Sequence, residues 1–459
     1  MAGLSLLLQR HLKKPALSHL GVREAIAAFE AVGPWFLTLF ALSVMGMTVH
    51  LATHKPPILF YLILTYASAI SLIISAPLHT LLNRFLADEL FLANYQAIID
   101  NLVGLTVMMV AVCAAVTLPL ALISDMAWHL KLTFIGLTVL MSLLWCVSAV
   151  MSALRKERLL LATYAVGMGL AIVLFMLARI HDTQAMLLAF SLGVAVPAAH
   201  GFAFIIKVYL RQAIRIRWQF LARRNAGHLF CSIAIFNLGF WCDKFIFWFH
   251  PATSRRLDPL FHYSTDYDFP FFVALTTMML GSVMVYRGIR RKVSDPYERF
   301  LFKLTHNFAF RELALEKFKL FNGIAEVSNA IIALYGGMVV LVLFLVYVGV
   351  FSLPWPNPFV FHYLLLGTVF FSLYFFYFLI IQYLDDYGAL LWLNLIFALV
   401  NAGGTLLSIH LGLPYYGTGF MVAAMVSALV AYIMVNLRVG SLEYRVFRDA
   451  LEQAEKTKK

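Results

Sequence analysis

Two full charges, Asp243 and Lys244, lie in the middle of an apolar and aromatic run that reads FNLGFWCDKFIFWFHP over residues 236–251. An ionisable side chain inside a membrane-spanning helix costs several kcal/mol if it faces lipid, so it normally faces the bundle interior or an aqueous cavity. Asp243 and Lys244 are therefore the first candidates for a functional site.

Helix geometry predicts how these two charges are arranged. Adjacent residues on a helix point about 100° apart, so we expect that they do not simply neutralise each other and that each needs its own partner. Trp241, Lys244, Phe245 and Trp248 share one face, where the rings can hold Lys244 by cation–π contact.

The functional interpretation of this stretch is a charged, aromatic cavity wall formed by Trp241, Asp243, Lys244 and Trp248. Aromatic rings that stack on sugar faces would suit a carbohydrate path. The alternative is that Lys244 snorkels to the outer interface, with Trp241 and Trp248 as interfacial belt residues.

The rest of the chain indicates an integral membrane protein. Its 459 residues are 62% hydrophobic and 13% charged, and the mean hydropathy is +0.85. Apolar runs of about twenty residues predict spanning helices, because inside a bilayer every backbone polar group must be satisfied internally. Twelve candidates occur, at about 31–51, 57–81, 101–124, 130–154, 159–179, 184–206, 226–249, 269–286, 327–351, 358–384, 388–410 and 415–436.

The basic residues alternate between the connections in a way that supports twelve crossings. With a cytoplasmic N-terminus, 29 of the 35 Lys and Arg fall on the cytoplasmic side and five on the other, and Lys244 alone remains in the membrane. Both termini are then predicted to be cytoplasmic. The net charge of +12 follows mainly from this bias and suits anionic lipids, so no nucleic-acid partner is predicted.

The predicted organisation is two six-helix lobes. Gly33-Pro34-Trp35 and Gly239-Phe240-Trp241 are offset by 206 residues, which nearly halves the chain. We predict five segments: a cytoplasmic amphipathic arm at 1–30, an N-terminal lobe at 31–210, a basic cytoplasmic linker at 211–225, a C-terminal lobe at 226–436 and a cytoplasmic tail at 437–459.

Two long cytoplasmic connections, 82–100 and 287–326, join the second and third helices of each half. The second is predicted to form amphipathic helices that lie on the membrane surface or dock a cytosolic partner.

Motifs for catalysis are missing from the sequence. There is no P-loop, no H-E-x-x-H helix and no G-x-S-x-G elbow, and the first outside loop, 52–56, has no acidic residue. The four cysteines are scattered singly in apolar segments and are interpreted as packing residues. We predict no catalytic residue, no cofactor and no metal, and therefore no enzyme.

Two further acidic groups lie at predicted ends of crossings. Tyr267, Asp268 and Pro270 open the eighth helix, where Asp268 is either an N-terminal cap or part of an outer gate that faces Asp243. Asp385 and Asp386 occupy a short cytoplasmic turn, and they are either a solvated turn or an inner gate.

Several motifs resemble those of the PelG family of Pel exopolysaccharide transporters, within the MOP flippase superfamily. They are N-L-G-x-W-x-D-K-F-I-F-W-F at 237–249, Tyr267-Asp268-x-Pro270-x-Phe272, Asn83-Arg84-Phe85-Leu86-Ala87-Asp88, Leu384-Asp385-Asp386, and Met1-Ala2-Gly3 with Gly33-Pro34-Trp35. This resemblance covers essentially the whole chain. It implies two six-helix lobes around a cavity that opens alternately to either side of the bacterial inner membrane.

The resemblance also implies export of an N-acetylgalactosamine-rich polymer, together with a cytosolic glycosyltransferase and other membrane proteins of the Pel system. Three alternatives stay open: a lipid-linked oligosaccharide flippase, a cation-coupled antiporter, and a non-transporting scaffold for the synthase. A diphosphate-linked substrate would favour several basic residues in the cavity, whereas only Lys244 is predicted to be embedded in the membrane. A neutral or cationic glycan without a diphosphate fits the sequence better.

Overall fold

The computed structural model describes residues 17–178, 182–223, 225–306, 308–349 and 357–444, with side chains at all of these except 17–32, 279–287 and 290. The predicted arm at 1–30 and the predicted tail at 437–459 lie mostly outside the described residues and side chains.

The described chain is almost entirely α-helical, as predicted for an all-α membrane protein. Its helices are α1 (Leu17–Thr53), α2 (Ile58–Phe91), α3 (Tyr95–Ile123), α4 (Trp128–Ala153), α5 (Glu157–Ala178), α6 (Thr183–Tyr209), α7 (Ala226–Phe249), α8 (Asp268–Gly288), α9 (Asp295–Thr305), α10 (Phe310–Tyr347), α11 (Pro358–Tyr383), α12 (Tyr387–Leu411) and α13 (Thr418–Gly440). Short 3₁₀ turns occur at Gln219–Ala222 and Leu413–Tyr415, and a π-helical turn at Ile289–Ser294 joins α8 to α9.

All twelve predicted crossings coincide with helices, namely α1–α8 and α10–α13. Among the described residues, eleven helices are long and apolar enough to span a membrane. The part of α8 whose side chains are described, Asp268–Met278, is apolar but shorter than a span. Twelve crossings and cytoplasmic termini therefore remain predictions.

Two connections differ from the expectation. The predicted 82–100 connection is mostly helix, because α2 continues to Phe91 and α3 begins at Tyr95. The predicted 287–326 connection is a loop only in part: α9 is a separate short helix, whereas residues 310–326 are the first turns of α10. At 1.5 Å per residue the 38-residue α10 is about 57 Å long, well beyond the roughly 30 Å of a hydrocarbon core.

The described chain divides into two compact units, one ending at Asp268 and the other beginning at Phe269. The first unit contains α1–α7. The sequence predicts α7 as the start of the C-terminal lobe, but by its contacts it groups with the first unit, because it packs along α2. The second unit contains the rest of the helices, α8–α13, and Asp268 alone of α8 belongs to the first.

Glycines allow close helix packing within each unit. A Cβ on Gly167 of α5 would lie 2.2 Å from the Gly193 carbonyl oxygen of α6. In the second unit a Cβ on Gly419 of α13 would lie 2.4 Å from the Thr405 nitrogen of α12. Small residues at such crossings let backbones approach where no hydrophobic effect drives association.

A small hairpin follows α7 and positions the candidate site. Strand β1 (Arg255–Arg256) pairs antiparallel with β2 (His262–Tyr263), with Arg255 opposite Tyr263. Phe261 packs edge-on against Tyr66 of α2 and Phe134 of α4, with ring centroids 5.0 and 5.6 Å apart. The hairpin thus lies on the first unit and returns the chain to the end of α7.

Candidate functional site

The two charged residues of α7 lie inside the protein. Asp243 is 0% exposed and Lys244 is 4% exposed within the first unit. Neither side chain faces lipid, as predicted for a functional or structural charge in a crossing. Lys244 does not snorkel outward either, because its ammonium folds back one turn along the helix.

Asp243 and Lys244 form an ion pair, which corrects the expectation that neighbouring charges on a helix would not pair. Lys244 Nζ lies 3.0 Å from Asp243 Oδ1 and 3.2 Å from Oδ2. The Cβ atoms still point about 100° apart, but the long lysine stem lets its ammonium swing around the helix to its neighbour. Lys244 Nζ also donates to the Phe240 carbonyl at 2.7 Å.

Aromatic rings surround the ammonium, as the spacing predicts. Lys244 Nζ lies 5.8 Å from the Trp241 ring centroid and 4.3 Å from that of Phe240. Phe240 was not predicted as a partner and makes the closer contact. Trp241, Phe245 and Trp248 form one ring cluster on this face, with centroids 5.5–6.3 Å apart.

Tyr267 is the second partner of Asp243. Its hydroxyl donates a short hydrogen bond to Asp243 Oδ2, and its ring stacks on Phe247 at 4.0 Å. Tyr267 is fully buried. The Asp243 carboxylate is therefore satisfied by an ammonium and a hydroxyl, one from its own helix and one from the segment before α8.

Asp268 makes different contacts from those expected of a gate opposite Asp243. Both of its carboxylate oxygens accept from Trp248 Nε1 at 2.9 Å. Oδ2 also accepts from the Ser264 backbone N–H at 2.8 Å, which fixes the turn that precedes α8. Tyr267, rather than Asp268, reaches Asp243. Pro270 is buried in the first turn of α8.

Tyr66 of α2 completes the network, and sequence reasoning missed it. Its ring stacks on Trp248 at 4.7 Å, and its hydroxyl donates to the His262 carbonyl at 3.0 Å. The His262 backbone N–H donates to the same hydroxyl at 3.1 Å. A tyrosine within an apolar helix gives no signal of such a role without knowledge of where the hairpin runs.

Trp241 differs from the other site residues in its polar atom. Its ring is half-buried, and its indole N–H is buried without a hydrogen-bond acceptor among the described residues. An indole N–H in such a place normally finds an acceptor. The described residues thus leave this donor without a partner, beside an ion pair that is internally satisfied.

The predicted inner-gate residues lie in the second unit and are held as a turn. Asp386 caps α12 by accepting from the Ala389 N–H at 3.2 Å and pairs with Arg438 of α13 at 2.8 Å. Asp385 accepts from the Tyr387 hydroxyl at 2.8 Å and has a positive φ of 60°. These contacts are those of an ordered turn, and a gating role stays a prediction.

Over the described residues, no group of three or more His, Cys, Asp or Glu is placed to hold a metal ion. The site consists of a buried ion pair, a cluster of aromatic rings and two side-chain contacts that join α7 to the chain at the start of α8. These contacts are the hydrogen bonds from Tyr267 to Asp243 and from Trp248 to Asp268.

Comparison with known proteins bears on the fold and the family. The model of a family described as PelG, putative exopolysaccharide exporter (EPS-E), matches residues 1–447. A search of curated protein sequences found no significant match.

Solved transporter structures share the fold at low sequence identity. A MATE transporter in complex with MaL6 superposes with a TM-score of 0.61 and 13% identity, over 91% of this chain and 97% of the other. A MOP superfamily transporter from Pyrococcus furiosus, described as having a binding pocket of reverse polarity, gives a TM-score of 0.56 and 14% identity over 91% and 96%. An outward-facing multidrug resistance MATE transporter gives the same values. These similarities confirm the predicted MOP/MATE-like fold.

Proposed function

We propose, from the premise that the chain belongs to the PelG family of putative exopolysaccharide exporters, that it exports a Pel-type, N-acetylgalactosamine-rich polymer across the bacterial inner membrane. The chain is a multi-pass membrane protein with a transporter fold. The single observation that carries the proposal is the family match over residues 1–447.

The charges of the crossings support a polymer without a diphosphate anchor. Lys244 is the one basic residue predicted to lie deep in the membrane, since Lys131 and Arg179 are at the outer ends of their crossings, and it is already paired with Asp243. A diphosphate in the membrane would need cations that are not neutralised by the protein. This observation favours a neutral or cationic glycan over the lipid-linked oligosaccharides that a flippase of the same superfamily would carry.

In this proposal Trp241, Asp243, Lys244 and Trp248 lie along the polymer path. The half-buried Trp241 offers a ring face on which the apolar face of a sugar can stack. The buried ion pair fixes the orientation of this face. Tyr267, Asp268 and Pro270 form the outer mouth, and Asp385 with Asp386 the inner gate.

We further propose that the cytosolic glycosyltransferase docks on the first turns of α10. Buried Glu316 pairs with Lys303 of α9 at 3.2 Å and with Lys319 at 2.9 Å, which holds α9 against α10. Phe310 and Phe318 remain 68% and 61% exposed on the opposite side of α10. Because α10 is longer than a bilayer is thick, exposed rings at this end suit a protein partner more than lipid tails.

The path is tested by replacing Trp241 in cells that secrete the polymer. We expect Trp241→Ala to reduce secretion severalfold at equal protein level. Trp392→Ala, which removes an equally large but exposed ring on α12, serves as the matched control and should secrete normally. Secretion by Trp241→Ala equal to that of the control would contradict the assigned path, while the family's transport function would still stand.

Docking is tested separately, by pull-down of the glycosyltransferase with Phe318→Glu. We expect this substitution to abolish co-purification. Phe344→Glu lies in the apolar part of the same helix and should instead impair insertion of the chain into the membrane. Retained co-purification with Phe318→Glu would place the partner elsewhere.

A further inference from the structure

The connection between α6 and α7 is fixed along the first turns of α3. We call residues 210–223 the strap. Three polar side chains of α3, Gln96, Asp100 and Asn101, accept hydrogen bonds from strap backbone N–H groups. The bonds are Arg211 and Gln212 to Gln96 Oε1 at 3.0 and 2.9 Å, Arg215 to Asp100 Oδ1 at 3.0 Å, and Gln219 to Asn101 Oδ1 at 2.7 Å.

Gly104 lets the strap lie against α3. A Cβ at this position would lie 1.9 Å from the Arg217 carbonyl oxygen. The Trp218 indole N–H donates to the Gly104 carbonyl at 2.9 Å, and Arg217 pairs with Asp100 at 3.5 Å. The strap is thus a positioned element of the first unit rather than a loose tether.

The strap exposes an apolar row. Ile214, Ile216 and Trp218 are 45%, 54% and 50% exposed. They alternate with Arg215 and Arg217 along the strap, so apolar and cationic side chains are neighbours in this segment. Apolar and aromatic side chains beside arginines are typical of a segment at the interface of a membrane.

A polar cavity of about 490 Å³ lies between the strap and the facing ends of α2 and α3. Two carboxylates are part of its lining: Asp100 accepts from the strap and pairs with Arg217 at 3.5 Å, and Glu89 accepts from Asn94 at 2.7 Å. Arg215 lines the same cavity, and its guanidinium has no hydrogen bond or ion pair to any described residue. The cavity therefore presents one cation that is available to an anion.

The sequence segment that contains the strap is basic. Residues 207–224 contain six Lys or Arg and no Asp or Glu. Basic pockets beside membrane helices on the cytoplasmic side favour anionic lipid head groups. A guanidinium without a described partner, next to exposed Ile and Trp side chains, matches a ligand with an anionic head and apolar tails.

We propose that this cavity binds an anionic glycerophospholipid, with its phosphate held by Arg215 and its acyl chains alongside Ile214, Ile216 and Trp218. The site is separate from the polymer path and does not depend on the proposed function. It would fasten the strap, and with it the start of α7, to the surface of the bilayer.

Native mass spectrometry of the purified full chain, titrated with dioleoyl phosphatidylglycerol, tests the proposal. We expect Arg215→Gln to bind this lipid about fivefold more weakly, the usual contribution of one arginine near an anionic surface. Ile216→Ser should also weaken binding. Lys156→Gln, on the same predicted side but outside the cavity, is the matched control and should bind like the unaltered chain.

Two further ligands show whether binding needs the anionic head group and whether free phosphate alone can replace the lipid. Dioleoyl phosphatidylcholine should bind more weakly than phosphatidylglycerol, and inorganic phosphate should not compete at equal concentration. Equal binding by Arg215→Gln and the control, equal binding of the two lipids, or competition by phosphate alone would each overturn the proposal.

Discussion

The buried pair of Asp243 and Lys244 is stable only as a pair. Each charge has lost its hydration, and each is compensated chiefly by the other, with added hydrogen bonds from the Tyr267 hydroxyl and to the Phe240 carbonyl. Removing one partner of a buried ion pair leaves an uncompensated charge, whereas removing both often costs little.

We therefore expect Asp243→Asn and Lys244→Met to destabilise the protein by about 3–5 kcal/mol each, as single breaks of buried pairs do. The double variant should recover most of that loss. Thermal unfolding of the detergent-purified variants measures this. A double variant as unstable as the singles would show that the two charges do not compensate each other.

Tyr267→Phe tests the second contact of Asp243. Loss of the hydroxyl leaves a buried carboxylate oxygen with one donor fewer, which typically costs about 1–3 kcal/mol. The same unfolding measurement detects it, with exposed Tyr415→Phe as the control. If Tyr267→Phe and Tyr415→Phe melted alike, the hydrogen bond to Asp243 would contribute nothing.

For single residues, the sequence predicts which side chains share a face of a helix, because helix periodicity determines this. It places Trp241, Lys244 and Trp248 on one face, and the structure brings their side chains together. It does not predict the ion pair, because that depends on where a flexible lysine stem turns. Nor does it predict the Tyr66 and Tyr267 contacts, which depend on the path of the hairpin after α7.

At the scale of elements, the strap is the feature with the sharpest geometric requirement. Gly104→Ala should force the Arg217 carbonyl away from α3, because a Cβ there would lie 1.9 Å from it. We expect limited trypsin digestion to cut the strap of this variant at Arg215 and Arg217 faster than in the unaltered chain. Gly136→Ala, where a Cβ would meet nothing within 4 Å, is the control. Equal cleavage of the two variants would mean that the strap is not held by this approach.

Every crossing that apolar periodicity predicts lies on a helix, but two predicted connections, 82–100 and 287–326, are largely helical in the structure. The cause is the same in both: α2 and α10 continue past their apolar segments into polar turns, such as Asn83 to Glu89 and Arg311 to Glu326. A hydrophobic pattern reports only the part of a helix that contacts lipid or core. Polar helical turns beyond it look like loops.

At the scale of the whole molecule, family and fold agree on transport. The family match spans nearly the full chain, and the transporter structures share its fold over 91% of its length. Hydropathy and charge alternation predicted a helical multi-pass membrane protein, and the resemblance to the PelG family implied the transporter fold. The sequence did not predict that α7 groups with the first unit, because that follows from ring contacts with Tyr66 that no periodic pattern encodes.

The central claim is that this chain moves a polysaccharide across a membrane, and protection of the product tests it most directly. The purified chain is reconstituted into vesicles with its glycosyltransferase and sugar donor outside, and a glycoside hydrolase is then added outside. The account predicts that new polymer resists digestion until detergent opens the vesicles. Polymer digested as fully as in vesicles without the chain would contradict the claim.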